Sequence, residues 1–107
     1  MRPGDVVTAW FIFNDLSSAK KRPALVLSSE ELNKDGTIII CAVSSRPVKS
    51  RWEVAILRWK EAGLVKESKV CLNHILSIDA RLVNKIGALD SEDMLKVQGI
   101  LKKALYV

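Results

Sequence analysis

Residues 37–45, TIIICAVSS, constrain the fold most. Three isoleucines and a threonine in succession favour an extended backbone, because branching at Cβ restricts the side chain in a helix and suits a pleated surface. The run has no polar residue at alternate positions, so neither face of the strand can be given to water. It is therefore expected at the centre of a sheet, covered on both sides.

The neighbouring segments supply that sheet. GDVVTAWFIF, residues 4–13, is rich in β-branched and aromatic residues and stops at Asn14-Asp15, a turn signal, so it reads as a first strand. RPALVLS follows; proline fits only the first positions or an edge of a strand, which places the start near Pro23. The polar SEELNKDG contains the turn pair Asp35-Gly36 and leads into the central run, so residues 23–43 form a β-hairpin with a long loop. WEVAIL, residues 52–57, is a further strand, and RWKEAGL is one helical turn stopped by Gly63. SKVCLNHILSID reads as one bent strand or two, and VNKIGALD as a short last strand. The end differs in kind. Asp90 or Ser91 caps a helix with Glu92 and Asp93 at its start and Lys102 and Lys103 at its end. Met94, Val97, Leu101 and Leu105, with Ile100 and Ala104 beside them, recur at three and four and form a stripe for packing on a sheet.

With 107 residues, 49% hydrophobic and 27% charged, the chain is long enough for one core and too short for two. No repeat, linker or low-complexity tract divides it, so residues 1–107 form one compact, mostly antiparallel barrel or sandwich with a C-terminal helix. No apolar run approaches the ~20 residues of a membrane span, and Met1-Arg2-Pro3-Gly4-Asp5 begins no signal peptide. The expectation is a cytoplasmic protein with no membrane partner. Cys41 and Cys71 each lie in an apolar stretch and read as reduced core thiols. With His74 the only histidine and no CxxC, a zinc site lacks its ligands, and neither a metal nor a cofactor is expected.

Seventeen Lys and Arg against twelve Asp and Glu make an acidic partner plausible, and their distribution is more informative. Between Ser17 and Ser29 the only charges are Lys20, Lys21 and Arg22; between Ser44 and Trp52 they are Arg46, Lys49 and Arg51. The polar constellations of common enzymes are missing. A lone histidine cannot serve as both acid and base in the two-histidine manner, and there is no GxSxG, phosphate-binding glycine loop or carboxylate cluster. If the strand entered at Arg22 and the strand ended by Ser44 and Ser45 are neighbours, a guanidinium and a hydroxyl meet at one end of the sheet and can hold a phosphate.

GDVV, KKRPALVLS, IIICAVSS, WEVAI and the closing AGLVKESKVCLNHILSIDARLVNKIGALDSEDMLKVQGIL, taken in order, resemble the MazF/PemK family of toxin endoribonucleases over nearly the whole chain. The resemblance implies a mainly β, SH3-like small barrel of the MazF/CcdB type with a C-terminal helix, forming a homodimer. It also implies cutting of single-stranded RNA at short sequences without metal, and silencing by a cognate antitoxin; the two basic stretches lead us to expect an acidic segment in that antitoxin. The family's catalytic arginine, in its Arg-Pro motif, falls on Arg22, and the hydroxyl residue ending its third strand falls on Ser44, with Ser45 the alternative. Attack of the RNA's 2′-hydroxyl on the adjacent phosphate then leaves a 2′,3′-cyclic phosphate and a 5′-hydroxyl. Lys20, Lys21, Ser45, Arg46, Lys49 and Arg51 are expected along the RNA backbone. Trp52 either stacks on a base or fills a core or interface position. His74, flanked by Leu72, Ile75 and Leu76, reads as structural. Two departures from the family pattern stand out: NDLSSAKK lacks the glycines common before the Arg-Pro, and serine replaces the commoner threonine at position 44. The alternative is a non-catalytic module on the same barrel, binding nucleic acid or gyrase. The gyrase-poison version relies on a tryptophan near the C-terminus, where this chain has LKKALYV.

Overall fold

A computed structural model describes residues 1–12 and 19–106. Its elements in chain order are β1 (Asp5–Ile12), β2 (Ala19–Val26), α1 (Glu30–Asn33), β3 (Thr37–Ser44), β4 (Glu53–Ala55), β5 (Lys69–Asp79), a 3-10 turn (Ala80–Leu82), β6 (Val83–Ala88) and α2 (Ser91–Leu105). Among the described residues the strands form one antiparallel sheet in the order β4-β5-β3-β2-β1-β6. Phe13 and the Asn14-Asp15 turn lie outside the described residues.

β3 occupies the middle, as its sequence demands. Ile38 and Ile40 enter one cluster with Val7, Ala24, Val26, Ile78 and Val83. Cys41 and Val43 enter the other, with Val6, Leu25, Val54, Val70, Leu72 and Val97 of the helix. Each fully buried aliphatic chain contributes about 1.5–3 kcal/mol of transfer free energy, so a strand feeding both clusters anchors the domain.

β2 begins at Ala19, four residues before the position expected from Pro23. Residues ahead of the proline pair with β1 alone (Ala9 with Arg22, Trp10 with Lys21), while β3 joins only from Ala24, opposite Ala42. Pro23 thus sits where one edge of the strand is open, the setting that tolerates a missing N–H. The basic triplet is strand, not loop.

β5 is one strand with an irregularity. Cys41 pairs with Ile75 and the next residue, Ala42, with Cys71, so Leu72, Asn73 and His74 bulge out of the ladder.

Asp90 caps α2 by accepting the Glu92 N–H at 3.0 Å. Val97 is buried, with Met94, Ile100 and Leu101 packed against the same cluster. Leu105 and Ala104, expected on the stripe, are exposed. The helix packs on β4 and β5, and its last turn leaves that support. Asp93 has a second duty beyond the helix start. Buried, its carboxylate accepts the Leu57 and Arg58 N–H groups at 3.1 and 3.0 Å and fixes the turn that follows β4.

That turn curls the sheet towards closure. It contains the expected helical bond, Ala62 N–H to Arg58 C=O at 3.2 Å, and ends at Gly63 with φ +90°. It lies backbone to backbone against β6: a Cβ on Gly63 would stand 2.3 Å from the Ile86 carbonyl oxygen, and one on Gly87 2.1 Å from that of Ala62. The segment leaving one edge strand therefore touches the other edge strand, giving a small barrel-like β domain with a C-terminal helix. Among the described residues, no helix is long and apolar enough to cross a membrane.

Candidate active site

Beyond Ala24 and Ala42 the two central strands part company. Towards Arg22, β2 keeps pairing with β1; towards Ser44, β3 keeps pairing with β5, Ser44 lying opposite Lys69. The register that joins Ala24 to Ala42 would carry Arg22 across from Ser44 on the same sheet face, but the ladder has already ended. The opening is a cleft of about 310 Å³ lined by residues that include Arg22, Pro23, Val43, Ser44, Arg46, Glu53, Lys69, Cys71 and His74. An adjoining cleft of about 260 Å³ shares Arg22, Ser44 and Arg46 and adds Ser45, Lys66 and Ser68. Arg22 and Ser44 thus stand on opposite walls of one cationic opening. The Ser44 hydroxyl oxygen accepts the Arg46 N–H at 3.2 Å, which leaves its own proton to donate.

The floor is a paired charge. Lys69 Nζ lies 2.8 Å from Glu53 Oε2, with both side chains largely buried, and donates to the Pro47 carbonyl at 2.8 Å. Glu53 Oε1 accepts the Lys49 and Ser50 N–H groups at 2.6 and 3.1 Å. One carboxylate and one ammonium thereby tie down the second basic loop at three backbone points. The Lys69 hydrogen bond, followed by the Lys49 N–H, holds the Glu53 carboxyl below its ordinary range. The Cys71 thiol donates towards Glu53 Oε2 at 3.9 Å; burial first, and the Glu53 charge second, push its pKa up. Cys41, in the core, is pushed up to about 12, chiefly by burial, with Cys71 adding to it. Both cysteines are free and buried, one in the core and one beneath the cleft.

Of the residues singled out from sequence, Arg22, Ser44, Ser45 and Arg46 line these two clefts. Lys20, Lys21, Lys49, Arg51 and Trp52 do not. Lys20 lies two residues from Arg22 on the same strand face, whereas Lys21 belongs to the opposite face beside exposed Trp10. The Arg51 guanidinium lies 4.6 Å from the centroid of the half-buried Trp52 ring.

His74 is a correction. It is exposed on the β5 bulge and lines the cleft with Arg22 and Ser44, rather than sitting in the sheet interior. The signal is the polar pair Asn73-His74 breaking an apolar strand, which marks a bulge. The Glu53–Lys69 pair has no local signal, because only the pairing of β4 with β5 brings the two together.

Fold and cleft together define a small barrel-like β domain carrying a cation-rich opening where its central strands separate. The chain belongs to the PemK-like, MazF-like toxins of type II toxin-antitoxin systems, whose family model matches residues 2–105. Among solved structures, MazF from Deinococcus radiodurans (Form-I) is 26% identical with a TM-score of 0.80, covering 100% of this chain and 97% of that one. A MazE-MazF structure from the same organism is 25% identical with a TM-score of 0.77, covering 100% and 96%. A mycobacterial endoribonuclease, 18% identical with a TM-score of 0.78 over 98% and 90% of the two chains, shares the fold. Comparison with curated protein sequences gave no match.

Proposed function

We propose that this protein is the toxin of a type II toxin-antitoxin system, a sequence-specific, metal-independent endoribonuclease that cuts single-stranded RNA to 2′,3′-cyclic phosphate and 5′-hydroxyl ends. The observation that carries the reading is that Arg22 and Ser44 line one cationic cleft. In the reaction the 2′-oxygen bonds to phosphorus as the bond to the 5′-oxygen breaks, and negative charge builds on the non-bridging oxygens. Arg22, with its planar fork of donors, binds that charge, and the Ser44 hydroxyl donates to a second oxygen.

Ser45 and Arg46 extend the contact along the RNA backbone from the cleft rim. Lys20, Lys49 and Arg51 add outlying charge, Trp52 offers a stacking plane beneath Arg51, and Lys21 acts from the far face through its field alone. The same cations suit an antitoxin whose acidic, partly disordered segment covers the cleft and folds on binding. Complexes of relatives, including an endoribonuclease from Mycobacterial species with its cognate antitoxin, support an antitoxin as partner. The reading is completed by a homodimer working in the cytoplasm.

The test mixes purified protein with a long unstructured RNA in excess EDTA and maps the cut ends, with Arg22→Ala treated identically. Discrete cuts bearing 5′-hydroxyls, reduced at least about 100-fold in the variant, are expected from loss of a transition-state donor. Nucleic-acid binding without cutting would replace the nuclease with a binding module on the same barrel.

A further inference from the structure

We propose that His74 is the base that takes the 2′-hydroxyl proton in this cleavage; the proposal rests on the ribonuclease reading above. The reaction requires a proton to leave the attacking oxygen, and neither Arg22 nor Ser44 is suited to accept one: an arginine stays protonated, and a serine hydroxyl is a weak base. The charged and titratable side chains lining the cleft come from four elements. Arg22 is on β2, Arg46 on the loop after β3, Glu53 on β4, and Lys69, Cys71 and His74 on β5.

Most of them are committed elsewhere. Arg46 is a permanent cation like Arg22. Lys69 is spent on Glu53 and the Pro47 carbonyl, and Glu53 on Lys69 and two backbone N–H groups. Cys71 lies beneath the cleft as a buried thiol turned towards Glu53. Histidine is the side chain that ordinarily exchanges a proton near neutrality, and His74 is the only one in the chain. Its position is set by the fold. The bulge removes Leu72, Asn73 and His74 from the β3 ladder, and the imidazole is exposed at the cleft wall.

The step balances without a further reactant. A neutral imidazole nitrogen takes the 2′-hydroxyl proton as the 2′-oxygen bonds to phosphorus. The bond from phosphorus to the 5′-oxygen breaks, and that oxygen takes a proton from water. The imidazolium then returns its proton to the solvent. Arg22 and Ser44 hold the phosphate throughout.

The experiment maps the wild-type cut sites, then follows cleavage of a short RNA spanning one of them across a range of pH. His74→Gln is expected to lower kcat about 100-fold or more, within the range of general-base contributions, and to abolish the fall in rate on the acid side. KM and the melting temperature should stay unchanged, as should binding of the same oligonucleotide with a 2′-deoxy sugar at the cut. Imidazole added to His74→Ala should restore rate in proportion to its concentration. A variant that keeps the wild-type rate and pH profile overturns the assignment, as does one whose loss follows weaker deoxy-oligonucleotide binding or a lower melting temperature. Wild-type protein that binds RNA without cutting it brings down the ribonuclease reading, and the base with it.

Discussion

Single residues set the site by what they cannot do. Pro23 has no N–H to offer β3, and the ladder between the two central strands ends beside it, so the backbone itself separates Arg22 from Ser44. Cys41 cannot ionise without bringing charge into the core, and its thiol stands at about 12 against an ordinary 9.0. A raised acid favours the folded state fully below pH 9.0 and loses that contribution as pH climbs towards 12, because the unfolded chain gives up its proton first. Denaturant melts taken at rising alkaline pH should therefore show a steeper loss of stability in wild type than in Cys41→Ala. Parallel slopes would mean that the thiol ionises as readily in the folded state. The two residues also differ in how far sequence alone reveals them. The buried thiol was legible from its apolar neighbours, whereas the early start of β2 was not, since only pairing with β1 makes a strand of Lys20, Lys21 and Arg22.

Elements bring charges together that sequence keeps apart. β4 and β5 pair Glu53 with Cys71 and Ala55 with Lys69, and this register places Glu53 and Lys69 in contact under the basic loop. Glu53→Ala removes the acceptor for the Lys49 and Ser50 N–H groups and leaves Lys69 without its carboxylate. Faster hydrogen exchange at those two amides is expected, together with a lower melting temperature and weaker RNA binding, while the fold persists. Because the Glu53 carboxyl is held below its ordinary 4.5, its share of stability is complete above pH 4.5 and drains away as pH falls through the lowered value. Wild type should lose more stability than Glu53→Ala over that interval. Equal losses, or unchanged exchange at Lys49 and Ser50, would show that the pair does not hold the loop. β3 and α2 were legible because their patterns are local; the bulge that exposes His74 depends on strand pairing, and only a polar interruption announces it.

At the scale of the whole molecule, what needs explaining is how an open sheet becomes a barrel. No ladder joins β4 to β6 among the described residues; the contact is made by the turn after β4, pressed backbone to backbone on β6 at Gly63 and Gly87. Sequence marks Gly63 as a stop for a helical turn but cannot show that Gly87 meets it, because a close approach of two distant backbones leaves no periodic trace. The contact yields a paired prediction from one kind of substitution. Gly87→Ala would place a methyl 2.1 Å from the Ala62 carbonyl oxygen, and as both sides are backbone the clash is relieved only by moving the turn off β6. A cost of about 1–3 kcal/mol or more is expected. Gly99→Ala, in the middle of α2 with nothing within 4 Å of the new methyl, should instead gain about 1 kcal/mol from helix propensity. For a domain near this size each kcal/mol moves Tm by about 4–8 °C, so thermal melts of the two variants should shift in opposite directions. If Gly87→Ala melts with wild type, the turn yields without cost and closure must reside elsewhere in the sheet. If it melts lower while retaining the strand signal in circular dichroism, the two glycines are what draws the edges of the barrel together.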